Sequence, residues 1–173
     1  MNDNFNPRLN IPYPKIEISK KDPVFAYKLL HTYAGNVSEL TAITQYSFQS
    51  FYLNSYKDLS KILEQISEVE MHHLKILAEL ILALGLTPYY VTYGCGNEPT
   101  PWNSDFIDYT TDYRSMLLSN INSEVIAIKD YNMLIDQTND PNIKDILRRI
   151  IMDEERHIEI FSELLRQYDS YEN

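Results

Sequence analysis

Two segments place a carboxylate and an imidazole one helical turn apart: Glu70 and His73 in ISEVEMHHLKI, and Glu154 and His157 in IMDEERHIEIF. Glu-x-x-His sets both side chains on one helix face, so a single helix can offer a metal ion an imidazole nitrogen and a chelating or bridging carboxylate. One such pair is a weak signal, because Glu and His are both common on helices. The surroundings sharpen it. Positions 143, 147, 150, 154, 157, 161 and 164 read Ile, Leu, Ile, Glu, His, Phe, Leu. Positions 62, 66, 70, 73, 77, 80 and 84 read Ile, Ile, Glu, His, Leu, Leu, Leu. Each apolar stripe is interrupted by Glu and His at two adjacent inward places. Two further stripes carry one Glu each: Glu39 ahead of Ala42, Ile43, Tyr46 and Leu53, and Glu124 between Asn120 and Ile128.

The spacing repeats. Glu39 precedes Glu70 by 31 residues, Glu124 precedes Glu154 by 30, and a tyrosine follows each lone Glu by seven, at Tyr46 and Tyr131. In an antiparallel helix hairpin about 30 residues lead up one helix, round a turn and back to the same level. Glu39, Glu70, His73, Glu124, Glu154 and His157 are therefore expected to converge at the middle of a bundle of two related hairpins. Four buried carboxylates without compensation would be prohibitively costly. Two divalent transition-metal ions would balance them, and a pair of Glu-x-x-His helices with two lone Glu is a dinuclear carboxylate site. Blander readings exist for single residues. Glu39 suits a capping box with Asn36, Glu124 a solvated helix position, and Tyr46 and Tyr131 ordinary core tyrosines. His31, His72 and Glu155 lie off the stripes and read as structural or surface groups.

The elements that must position these residues follow from punctuation and period. Residues 1–22, with Pro7, Pro12 and Pro14, read as an extended arm that lies on its own bundle or on a neighbouring subunit. Asp22-Pro23 starts a helix that runs to Gly35-Asn36 and resumes through VSELTAITQYSFQSFYL. After a turn near 56–58 a second helix runs to Gly85 as its C-terminal cap. Residues 86–109 form the long irregular stretch, its Tyr-rich part expected to pack on the bundle. A third helix spans about 110–137, Asp140-Pro141 starts the fourth, and that one ends near Tyr168, leaving 169–173 as a tail. The 24-residue link could reach about 80 Å, more than the roughly 38 Å of a 25-residue helix. The expected fold is all-α: a four-helix bundle over residues 23–168, two antiparallel hairpins joined by one long crossover.

Composition narrows function. The chain of 173 residues carries a formal net charge of −10, which disfavours nucleic acid and anionic membrane surfaces as partners. No run approaches the ~18 apolar residues of a membrane span, and the N-terminus lacks a signal-peptide core. A single cysteine, Cys95, excludes an intrachain disulfide and a rubredoxin-type iron site. A cytoplasmic location is expected.

With these residues in view, the chain resembles the ferritin-like superfamily of di-iron and di-manganese carboxylate proteins over residues 23–168. KDPVFAYKLLHTYAGNVSELTAITQYSFQSF looks like the first helix of manganese catalases and their shorter spore-coat relatives, which implies a spore coat as a second possible location. That resemblance implies Glu39, Glu70, His73, Glu124, Glu154 and His157 as metal ligands. It further implies that Tyr46 hydrogen-bonds Glu154 and that Glu154 handles protons beside the metals, making Glu154 and Tyr46 the catalytic candidates. Departures exist: Ser123 stands where manganese catalases have Arg, and Ala127 where rubrerythrins add a Glu. Bacterioferritins share the bare ligand set.

The implied functions are three. The first is a manganese or iron redox enzyme acting on hydrogen peroxide or dioxygen, catalase- or peroxidase-like, as a homo-oligomer of two or more chains. Disproportionation of peroxide needs no external reductant, which suits a chain without an electron-transfer domain. The others are a ferroxidase that handles iron, and a structural coat component retaining a metal site. Manganese and iron both accept this ligand set.

Overall fold

The computed structural model describes residues 5–93 and 98–172. Among these described residues five α-helices follow in order: α1 Pro23–Ala34, α2 Glu39–Tyr52, α3 Lys57–Leu84, α4 Tyr113–Gln137 and α5 Pro141–Glu172. α1 and α2 together make the first long element of a four-helix bundle, and α3, α4 and α5 supply the other three. α2 pairs with α3 and α4 with α5, as two hairpins joined by the crossover 86–112. Among the described residues no helix is long and apolar enough to cross a membrane.

The expected punctuation forms. Asp22 Oδ1 accepts the Phe25 amide at 2.9 Å, with Pro23 as the first helical residue. Asp140 Oδ1 accepts the amides of Asn142 (2.9 Å) and Ile143 (3.2 Å) at the head of α5. Gly85, at φ 97°, closes α3 with paired backbone bonds, Gly85 N–H to Leu82 and Leu86 N–H to Ile81.

Three boundaries differ from expectation. The capping box between Asn36 and Glu39 does not form. Ser38 is the cap, its hydroxyl accepting the Thr41 amide at 3.3 Å, and Glu39 is the first residue of α2. α4 starts at Tyr113 because Asp112 Oδ2 caps the Ser115 amide at 2.8 Å. α5 continues beyond Tyr168 to Glu172, so the tail is largely helical.

The break at 35–38 depends on a close approach. A Cβ on Gly35 would lie 2.4 Å from the His31 carbonyl oxygen and 2.9 Å from its Nδ1. The freed Gly35 carbonyl is taken up by the Ser38 and Thr41 hydroxyls, each at 2.8 Å. Gly35→Ala should therefore destabilise the fold by about 1–3 kcal/mol. Urea unfolding of metal-free protein checks this, and a change below about 0.5 kcal/mol would contradict it.

The crossover is more ordered than expected. Val91–Tyr93 pairs antiparallel with Pro99–Pro101, in the register Val91 to Pro101, and one 3₁₀ turn covers Ser104–Phe106. Cys95, Gly94 and Gly96 lie outside the described residues. The aromatic part packs on the bundle as expected: the Tyr93 ring lies 3.9 Å from that of Tyr27, Tyr90 stacks on Tyr33, and the Trp102 indole N–H donates to Thr41 Oγ1 at 3.0 Å.

The N-terminal arm lies on its own bundle. Arg149 donates to the carbonyls of Ile11 (2.9 Å) and Leu9 (3.1 Å), and Asn142 exchanges bonds with the backbone of Lys15 and Glu17. Two apolar clusters fill the bundle. One gathers Leu29, Leu77, Leu80, Ile135, Leu147 and Ile150, the other Leu63, Ile66, Met116, Leu117, Phe161 and Leu164. The layer between them is polar.

Candidate metal centre

That polar layer holds all six expected ligands. Glu39, Glu70, His73, Glu124, Glu154 and His157 are each at most 3% exposed. The helical period places them there, since every expected inward position of α3 and α5 is buried. Their atoms fall into two groups, Glu39, Glu70, His73 and Glu154, and Glu70, Glu124, Glu154 and His157, with donors of each group within 4.8 Å of one another. Glu70 and Glu154 belong to both.

The distances show how they are shared. His73 Nδ1 lies 3.1 Å from Glu70 Oε2, 3.1 Å from Glu154 Oε1 and 3.5 Å from Glu39 Oε2. His157 Nδ1 lies 2.9 Å from Glu70 Oε1, 3.0 Å from Glu154 Oε2 and 3.6 Å from Glu124 Oε1. Each shared carboxylate thus turns one oxygen toward each imidazole. Yet Glu39 Oε2, Glu70 Oε1, Glu154 Oε2 and both His157 nitrogens have no hydrogen-bond partner among the described residues. Buried polar atoms that crowd together without bonding one another aim at common points between them, as metal ligands do. The residues present fit two divalent ions, one per group.

Electrostatics in the metal-free protein agree. Burial, then the charges of Glu154 and Glu70, push Glu39 well above the usual carboxylate range. Burial and Glu70 push Glu124 to about 8. Burial works against the charged forms of both imidazoles, but the surrounding carboxylates outweigh it, Glu154 first for His73 and Glu70 first for His157, and hold both well above 6.5. Burial also opposes ionisation of Glu70, and the two imidazoliums overcome it and hold the carboxyl below its usual range. Protons and imidazolium charges occupy the role that divalent cations would take.

Tyrosines close the layer from either side. The Tyr46 hydroxyl donates to Glu124 Oε1 at 2.5 Å, and the Tyr131 hydroxyl donates to Glu39 Oε1. The expected bond from Tyr46 to Glu154 is thus corrected: each tyrosine holds the lone Glu of the other hairpin. Both are fully buried, so they are neither surface nor purely packing residues. His31 and His72 stay outside the site, His31 near Asp130 and His72 against the Tyr13 ring, and Glu155 is exposed.

A cavity of about 140 Å³ opens onto the layer between α2, α4 and the crossover. Its inner wall includes Glu39, Glu70, Glu124 and Glu154, and its outer part Asp108, Ser119 and Ser123. Asp108 is fixed there, its amide donating to Gln45 Oε1 (2.9 Å) and its carboxylate accepting from Ser119 (2.5 Å). Among the described residues no Lys or Arg lines it.

Residues 37–170 match the model of the ferritin-like domain family. The chain belongs to that family. Among ferritin-like relatives, a probable manganese catalase of Clostridium acetobutylicum is 28% identical over 174 residues, covering 88% of this chain and 75% of the relative. The crystal structure of KatB, a manganese catalase from Anabaena PCC7120, superposes with a TM-score of 0.83 at 24% identity, over 94% of this chain and 80% of that one. A Rhodobacter capsulatus bacterioferritin superposes with a TM-score of 0.70 at 25% identity, over 87% of this chain and 89% of the other. These structures share the ferritin-like fold.

One residue that sequence reasoning missed completes the layer. Asp153, fully buried, accepts from His73 Nε2 at 3.2 Å and from the Tyr13 hydroxyl on Oδ2, and from the Leu9 amide on Oδ1 at 3.0 Å. Arg149 Nη1 stands 2.8 Å from Oδ1. Burial opposes its ionisation, but these donors hold the carboxyl below its usual range. The available signal was Arg149-x-x-x-Asp153, an ion pair beside the apolar stripe of α5.

Proposed function

We propose that this ferritin-like chain is a dinuclear manganese or iron redox protein acting on hydrogen peroxide, catalase-like in reaction. The observation that carries this reading is the pair of four-ligand groups sharing Glu70 and Glu154. Glu39 and His73 would complete one position, Glu124 and His157 the other. When bound, the two ions supply a two-electron redox couple inside a water-poor layer.

The chain's own residues support a small substrate. A cavity of about 140 Å³ admits only a few water-sized molecules, well below the ~300 Å³ and more of an organic-ligand pocket. A lining rich in carboxylates and hydroxyls, without Lys or Arg among the described residues, suits neutral peroxide or dioxygen and disfavours anions. Oxidising one peroxide to dioxygen releases two protons and two electrons, and reducing a second to two waters takes both up. Carboxylates on the inner wall must hold those protons between the half-reactions. Glu154, a shared member of both groups, is also the proposed proton-handling group, the proton role being the one that the resemblance to manganese catalases implies. Tyr46 orients Glu124 rather than Glu154, and Tyr131 does the same for Glu39. The manganese catalases among the relatives support this reading.

A second reading, iron oxidation of the bacterioferritin kind, is compatible with the same ligand sharing and is favoured by Asp108 in the cavity lining, where it would attract a cation. Loading metal-free protein with manganese and, separately, with ferrous iron decides between them on an oxygen electrode. Oxygen evolved from peroxide without added reductant, in the ratio of one to two, supports the catalase-like reading. Oxygen consumed on adding ferrous iron, with ferric product retained and no evolution from peroxide by either form, supports the second.

A further inference from the structure

The two halves of the site differ in what stands behind each imidazole. Eighty-four residues separate Glu70 from Glu154, His73 from His157, and likewise Val69 from Asp153. The repeat partner of Asp153 is thus a valine. His73 donates through Nε2 to a buried carboxylate, whereas His157 Nε2 has no hydrogen-bond partner. Among the described residues the N-terminal arm reaches only the first. Leu9 N–H and the Tyr13 hydroxyl both bond Asp153, the Tyr13 oxygen lies 3.1 Å from His73 Nε2, and the Arg149 guanidinium sits 4.2 Å over the Tyr13 ring while donating to Leu9 and Ile11.

We propose that the arm, through Tyr13 and Leu9 on Asp153, is the outer support of the Glu39–His73 metal position and of that position alone, so that arm docking and metal at His73 stabilise each other. The physical basis is ligand orientation. Asp153 fixes the imidazole with Nε2 protonated and Nδ1 turned to the layer, and a carboxylate behind a ligating imidazole raises its basicity. The arm's donors in turn fix Asp153. Coupling between sites is reciprocal, so metal at this position must also hold the arm down. Asp153 and Tyr13 are positioning residues. The inference rests on the dinuclear reading above.

The test measures manganese affinity by chelator competition in single-position backgrounds. In His157→Ala protein, which keeps the His73 position, Asp153→Asn should weaken binding about 10- to 100-fold and Tyr13→Phe about fivefold. In His73→Ala protein neither change should alter affinity. Equal effects in both backgrounds, or none in either, would overturn the inference. Limited trypsin cleavage of the unaltered chain gives a second readout that no variant's folding can spoil. Manganese should slow cleavage after Arg8 and Lys15, in the arm, by a larger factor than after exposed Lys57. Equal protection at all three sites would mean global stabilisation only, and the inference would fail. An unaltered chain that binds no manganese or iron contradicts the dinuclear reading itself, which separates the two failures.

Discussion

Glu70→Ala and Glu154→Ala proteins should hold almost no metal, while Glu39→Ala and Glu124→Ala should each retain about one ion per chain. The difference follows from sharing. Glu70 and Glu154 each present one oxygen to the His73 side and one to the His157 side, at 2.9–3.1 Å from the imidazoles. Removing either takes a ligand from both positions and leaves two cations to repel each other with one negative charge fewer between them. Glu39 and Glu124 appear in one group each. Elemental analysis after loading and gel filtration reads the outcome. Glu154→Ala protein that keeps two ions would show that Glu154 stands beside the metals as a base, the role implied by the resemblance to manganese catalases, and the shared-ligand geometry would be wrong for it.

Metal should raise the melting temperature by about 15–30 °C at pH 8 and far less at pH 5. At free metal about 1000-fold above Kd each ion contributes about 4 kcal/mol, and a chain of this size moves by roughly 2–4 °C per kcal/mol. The pH dependence comes from protons held in place of metal. Glu39 and Glu124 are pushed up, Glu124 to about 8, so the folded chain keeps protons that the unfolded chain releases above about 4.5. His73 and His157 are also raised and keep protons the unfolded chain releases above about 6.5. Both effects stabilise the metal-free fold below those values and are lost as pH rises. Glu70 and Asp153 act in the opposite sense, stabilising above about pH 4 and failing as pH falls below it. Metal-free protein should therefore be most stable near pH 5, and rising pH should deprotonate the ligands and strengthen metal binding. Calorimetry at pH 5, 6.5 and 8, with and without chelator, measures this. A melting temperature indifferent to chelator at all three would refute it.

The six converging residues were legible in sequence because they interrupt an otherwise regular hydrocarbon period. Glu70, His73, Glu154 and His157 could be placed by counting threes and fours, and Glu39 and Glu124 by the repeat of about 30 residues. The crossover was legible as length, and its short hairpin was not, since three-residue strands with proline at both ends of one carry no alternation to read. Tyr46 was legible as an inward residue, but which carboxylate it bonds depends on the rotation of α2 against α4, a tertiary quantity. Asp153 escaped because it lies one residue off the stripe. Its partners Leu9, Tyr13 and His73 are 144, 140 and 80 residues away, so nothing local marks it.

The division of ligands between hairpins has a consequence for how the molecule is held together. The first group draws Glu39, Glu70 and His73 from one hairpin and Glu154 from the other; the second draws Glu124, Glu154 and His157 from one and Glu70 from the other. Neither half carries a complete coordination set, and the crossover carries none of the six. Each ion, where bound, would therefore be a rivet through the seam between two half-proteins. A chain severed in the crossover would be expected to separate or reassociate according to whether metal is present, which makes this bundle a natural scaffold for two-fragment complementation under chelator control.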